Sequence, residues 1–110
     1  MIIKAITVRH PYAQYIRDNL KKIETRKWTT SYRGKLLIHC AKLPKCKYSG
    51  MAIAICDLVD IKPMTKEHEK DAWCGLYDGA NSFFLENIQP IEPVPIRGKL
   101  SLWNVEVELK

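Results

Sequence analysis

The sequence predicts an α+β fold, a small mixed β-barrel with short flanking helices. Three observations carry that reading. Several short runs either alternate apolar and polar residues or are apolar throughout, and turn-rich segments separate them, as strands require. Only two stretches have helical spacing, and both are brief. With 110 residues, 46% of them hydrophobic and 27% charged, the chain has the size of one domain spanning 1–110. Several strands, few helices and many turns in such a chain point to closure that leaves few edges.

The elements follow in order. Ile2 to Val8 alternates well enough for a strand, with Ile3 and Ala5 on one face and Lys4 and Ile6 on the other. Pro11 suits the first turn of a helix, where its missing N–H is not needed. From Tyr12 to Leu20 the spacing is helical, with Tyr12, Ile16 and Leu20 sharing a face and Asn19 placed to end the helix in a left-handed conformation. Lys21 then falls in a joint. Ile23 to Trp28 reads as a strand whose Glu24, Arg26 and Trp28 share one side at period two. Thr30 to Gly34 is a turn, Lys35 to Cys40 a strand, and Ala41 to Ser49 a loop. Gly50 to Ile61 is apolar on both faces and belongs at the centre of the sheet. Thr65-Lys66-Glu67-His68 has the look of a capped helix start, with the helix running to about Trp73. Gly75 to Asn81 is a loop, Ser82 to Gln89 a strand, Pro90 to Pro95 a proline-rich connection, and Leu100 to Leu109 a closing strand.

Composition narrows the function. No run approaches the roughly 18 apolar residues that a membrane span needs, and Met1 to Val8 is too short and strand-like for a signal peptide. Both point to the cytosol, where the four cysteines would be reduced. Cys56, inside an apolar strand, reads as a small buried hydrophobe. His39, Cys40, Cys46, His68 and Cys74 are spaced too loosely for a structural zinc site, so no metal is expected and no cofactor is implied. Adjacent strand residues face opposite ways, which argues against a His39–Cys40 dyad. The net charge of +6 favours a polyanionic partner such as RNA.

One segment concentrates the chemistry. Lys21, Glu24 and Arg26 place two cations about a carboxylate. A lysine becomes a nucleophile or base when burial or a neighbouring cation disfavours its charge, and a glutamate beside it can shuttle the proton. The same pattern also occurs on ordinary charged strand edges. Trp28, Tyr32, Trp73, Tyr77, Phe83 and Phe84 could stack nucleobases or simply fill the core. Trp28 stands apart from the others because it shares a strand face with Glu24 and Arg26. His39 ends its strand with hydrogen-bonding capacity towards a pocket. Arg33 either reaches a ligand or braces its own turn by donating to backbone carbonyls.

These residues also carry a resemblance. Ile6-Thr7-Val8-Arg9-His10-Pro11-Tyr12-Ala13, Lys21-Lys22-Ile23-Glu24-Thr25-Arg26, Trp28-Thr29-Thr30-Ser31-Tyr32-Arg33-Gly34 and Leu36-Leu37-Ile38-His39 resemble the ASCH domain of the PUA-like superfamily. So do Ala54 to Asp60, Leu85-Glu86-Asn87 and Gly98 to Trp103. Tyr12 stands where tryptophan is more usual, and Asn19 where glycine is. The resemblance implies a barrel with flanking helices, and a cleft lined by the Lys-x-x-Glu-x-Arg segment. It implies RNA or a modified nucleoside as ligand. With the residue reading above, the expected contacts to that ligand are Lys21, Glu24, Arg26, Trp28, Arg33 and His39. Some small members are amidohydrolases acting on N4-acetylcytidine, which makes Lys21, with Glu24, the alternative catalytic pair. Glu24 stands where those enzymes have a threonine, and Glu67 or Glu69 would have to supply their distal carboxylate.

Overall fold

The computed structural model describes residues 1–109. Its strands are β1 (Ile2–Val8), β2 (Ile23–Arg26), β3 (Gly34–Cys40), β4 (Met51–Pro63), β5 (Asn81–Pro95) and β6 (Leu102–Glu106). Two helices flank them, α1 (Tyr12–Arg17) and α2 (Glu69–Ala72), the second preceded by a single 3₁₀ turn at Lys66–His68. The strands form one six-stranded sheet in the order β2-β5-β4-β3-β1-β6. β1 and β3 run parallel and every other neighbouring pair is antiparallel, so the sheet is mixed as expected. It curls into a half-barrel with β2 and β6 as its end strands.

Side-chain alternation sorts the core. Ile6, Val8, Leu36, Ile38 and Cys40 point to one side, where Ile53, Leu58, Phe83 and the α1 residues Ala13 and Ile16 complete the main cluster. Ile3, Ala5 and Leu37 point to the other, against Ile91, Trp103 and Val107. β4 pairs on both edges, with β3 and with β5, and its two faces are apolar because each meets a core cluster, with Cys56 and Leu58 in one and Ala52 in the other.

Several boundaries differ from the sequence reading. Helix α1 stops at Arg17 because Asn19 takes a left-handed φ of 64°; Leu20 and Lys21 then both donate their N–H groups to Tyr15 O. Leu20 therefore leaves the Tyr12–Ile16 face and is exposed. β2 ends at Arg26, not Trp28, because its partner β5 begins at Asn81, the residue opposite Arg26. The proline-rich segment 90–95 is not a connection but the second half of β5. Its partner is β4, with Ala54 opposite Pro90 and Met51 opposite Pro95, while β2 reaches only Phe84. The prolines thus sit where β5 has one unpaired edge, the setting in which a missing N–H is tolerated. The closing strand is shortened to Leu102–Glu106.

Candidate ligand cleft at the barrel seam

The site lies where the curled sheet fails to close. β2 is one end of the sheet and β1 lies next to the other end, and the Arg26 side chain crosses between them. Its Nε and one Nη donate to Glu24 Oε2 at 2.9 and 2.6 Å, and the same Nη donates to Thr7 O on β1 at 2.6 Å. Glu24 Oε1 faces Lys21 Nζ at 3.3 Å. Lys21 is 3% exposed and also donates to Ile23 O and, from the opposite wall, to Ala72 O at the end of α2. An ammonium has three N–H donors, and all three are occupied.

The joint before β2 makes this possible. With α1 ended at Asn19, the chain reverses and Lys21 turns inward while Lys22 stays exposed. Lys21 therefore reaches Glu24 although strand periodicity alone would send the two to opposite sides. Its ammonium also lies 5.7 Å from the centre of the Tyr12 ring, within cation–π range.

Two clefts meet at Thr7 and Arg26. The first, about 390 Å³, is lined by Lys21, Glu24, Thr25, Arg9 and the rings of Tyr12 and Tyr77, among others. The Tyr77 hydroxyl is fixed by donating to Thr25 Oγ1 at 3.0 Å. The second, about 540 Å³, has Thr7 and His39 in its lining together with Arg26, Lys42, Arg97, Gly98 and Lys99.

His39 is set rigidly in that second cleft. Thr7 and His39 are paired residues of β1 and β3, so their side chains share a face. The Ile96 carbonyl can only accept, so His39 Nε2–H donates to it at 3.1 Å, and Nδ1 of the neutral ring accepts from Thr7 Oγ1 at 3.0 Å. Burial lowers the His39 pKa from its usual 6.5, partly offset by the Gly50 and Ile96 carbonyls. The ring meets Trp103 edge-on at 5.9 Å. Gly98 closes over it, where a Cβ would lie 2.8 Å from His39 Cε1; only glycine allows that approach without a shift.

Lys21, Glu24 and Arg26 thus converge on one cleft, and His39 lines the adjoining one. Trp28 and Arg33 lie elsewhere. Because β2 ends before it, Trp28 turns edge-on to Phe83 at 5.1 Å and packs on the main core. Arg33 donates to Thr30 O and Tyr32 O, the bracing geometry. Glu67 and Glu69 do not reach Lys21: among the described residues Glu24 is the one carboxylate within 4.0 Å of its Nζ. No group of three or more His, Cys, Asp or Glu able to hold a metal occurs among the described residues.

The residues missed from sequence are Thr7, Lys42, Arg97 and Lys99 in the second cleft. Arg97-Gly98-Lys99 carried a signal, a glycine between two cations after a proline-rich run. Thr7 carried none, since its role comes from a partner 32 residues away.

A mixed half-barrel with two short flanking helices defines a small barrel domain. The sequence matches the ASCH domain over residues 6–95, and the chain belongs to that family. The ASCH protein of Zymomonas mobilis superposes with a TM-score of 0.75 at 17% identity, covering 94% of this chain and 87% of that one. A tyrosine-to-phenylalanine variant of the Zymomonas mobilis protein gives 0.75 at 17% identity over 94% and 89%. A serine-to-alanine variant gives 0.75 at 16% over 94% and 87%. At identity this low, the superposition shows a shared fold and nothing more. Comparison with curated protein sequences finds no match.

Proposed function

We propose that this domain binds RNA or a modified nucleoside in the seam, with the base beside Glu24 and phosphate beside His39. The observation that carries the reading is the charge of the second cleft. Arg26, Lys42, Arg97 and Lys99 line it, and none of its lining residues is a carboxylate. Such a concentration of one sign attracts a polyanion. The first cleft complements it. Glu24 keeps acceptor capacity for an exocyclic amine, since a carboxylate has about four lone-pair sites and the bonds to Lys21 and Arg26 leave some free. Tyr12 and Tyr77 offer ring faces for stacking, worth roughly 1–3 kcal/mol per base.

The test is the salt dependence of binding to a short single-stranded RNA, read by fluorescence anisotropy. Affinity should fall linearly on a log–log plot against salt, and Arg97→Ala should reduce the slope by about one. Absence of binding at low salt overturns the proposal, as does a slope that Arg97→Ala leaves unchanged.

Hydrolysis of an acylated nucleoside, with Lys21 and Glu24 as the catalytic pair, has one supporting observation, their contact in the wall of a cleft. Against it, all three Lys21 N–H groups point at protein acceptors, which leaves no lone pair to meet an acyl carbon. Release of acetate from N4-acetylcytidine, lost in Lys21→Arg, would restore that reading.

A further inference from the structure

We propose that Cys40 and Cys46 are a dithiol that a peroxide oxidises to an intramolecular disulfide. Neither cysteine belongs to the Lys21–Glu24–Arg26 network; the hollow beside Cys46 shares Lys42 and Arg97 with the second cleft, but the thiol chemistry does not depend on what that cleft binds. Cys40 ends β3 and is fully buried. The chain beyond it doubles back: Ala41 N–H donates to Val8 O, Gly50 N–H to Cys40 O, and Ser49 N–H to Cys46 O. That loop lowers Cys46 onto Cys40, with the two Sγ atoms 3.7 Å apart. A disulfide needs about 2.05 Å, a closure that side-chain rotation and a small loop shift supply.

The two thiols have different surroundings, which assigns their roles. Cys46 is half-buried and lines an open surface hollow with Lys42, Lys45, Ser49 and Arg97, so a small oxidant can reach it among cations that favour a thiolate. Burial pushes the Cys46 thiol up, but hydrogen bonds from the Tyr48 and Ser49 backbone, the Ser49 hydroxyl and Cys40 outweigh it and leave the pKa lowered. Burial, with Cys46 adding to it, pushes Cys40 up to about 12. Cys46 is therefore the attacking thiol and Cys40 the resolving one. Cys56 and Cys74 have no sulfur neighbour among the described residues. Cys56 donates to Leu36 O inside the sheet, and Cys74 lies against Thr25 Oγ1.

The chemistry balances with hydrogen peroxide as oxidant. The Cys46 thiolate attacks one peroxide oxygen, the O–O bond breaks, and the leaving hydroxide takes a proton to become water. Cys46 is left as a sulfenic acid. Cys40 sulfur then attacks Cys46 sulfur, the S–O bond breaks, and the departing hydroxyl leaves with the Cys40 proton as a second water. Two thiols are oxidised and one peroxide is reduced to two waters. The bond closes residues 40–46 into a ring that contains Lys42.

The experiment treats the reduced full chain with hydrogen peroxide, then counts thiols after denaturation and maps the cross-linked peptides. Two of the four thiols should be lost, the intact mass should fall by two hydrogens, and Cys40 should be joined to Cys46. Cys40→Ser should stop at a sulfenic acid on Cys46 that dimedone traps, and Cys46→Ser should keep its remaining thiols. Thermal melts of both variants establish that they are folded. Retention of all four thiols overturns the proposal. So does a disulfide involving Cys56 or Cys74, or a covalent dimer, or a folded Cys40→Ser protein in which dimedone labels nothing.

Discussion

Lys21 shows how a charged residue can be committed to structure and still line a cleft. Burying an ammonium is unfavourable unless every donor is paired, and here Ile23 O, Ala72 O and Glu24 do the pairing. Lys21→Met removes that pairing and leaves two carbonyls and a nearly buried carboxylate short of a donor. Stability should fall by about 3 kcal/mol, the lower end for breaking a buried pair because Arg26 remains on Glu24. Urea denaturation measures it; a loss under 1 kcal/mol would mean that the network is slack. This is also why loss of activity in a Lys21 variant needs a folding control. His39 gives a pH signature of known sign. Its folded pKa lies below the usual 6.5, so the unfolded chain takes up the proton first on acidification. The associated stability is complete above about pH 6.5 and is lost as pH falls through the lowered folded value. His39→Asn should flatten that part of the stability–pH curve, and an unchanged curve would assign the acid sensitivity to other groups.

At the scale of elements, the register of the sheet is irregular where a helix compensates for it. Between Ala52 and Ala54 the β4–β5 pairing shifts. Arg17, the last residue of α1, donates one Nη to Ile53 O and to Ile91 O, carbonyls of the two shifted strands. Its guanidinium also lies 5.0 Å from the Tyr48 ring. The arginine thus ties the helix to the bulge and satisfies acceptors that the ladder misses. Arg17→Met keeps the stem and removes the donors, and should destabilise by about 1.5–3 kcal/mol, the usual range for hydrogen bonds to a charged group. Thermal or urea unfolding checks it. The short second helix works in a similar way. Thr65 N–H donates to His68 Nδ1 at its start, and the left-handed Trp73 at its end presents Ala72 O to Lys21.

Over the whole molecule, an incomplete barrel makes the two clefts of the candidate site. Had β2 met the other end of the sheet, the space that Arg26 spans would hold a ladder of backbone bonds and no cleft. The excess positive charge is not spread evenly with respect to it: Lys35 and Lys62 are matched by Asp57 and Asp60, whereas Lys42, Arg97 and Lys99 gather at the seam. The salt-slope experiment therefore has an internal control. Lys35→Ala, outside the clefts, should leave the slope of RNA binding as it is, while Arg97→Ala lowers it. Equal effects would mean a diffuse electrostatic attraction with no site.

Local pattern was enough for the existence of the strands, the central place of β4 and the left-handed turn at Asn19. Such features depend on side-chain period and on conformations open to single residues, and a short window of sequence carries both. The misreadings at Trp28 and Pro90–Pro95 share a cause. How long a strand continues depends on what lies beside it, and β5 sits next to β2 only over Asn81–Phe84. The site followed the same division. Its residue types were visible in one segment, but the burial of Lys21 needed Ala72, 51 positions away. The second cleft needed Thr7 opposite His39 and the arrival of residues 97–99 above them. Those contacts form when the sheet curls, because closure brings together groups that no local periodicity relates.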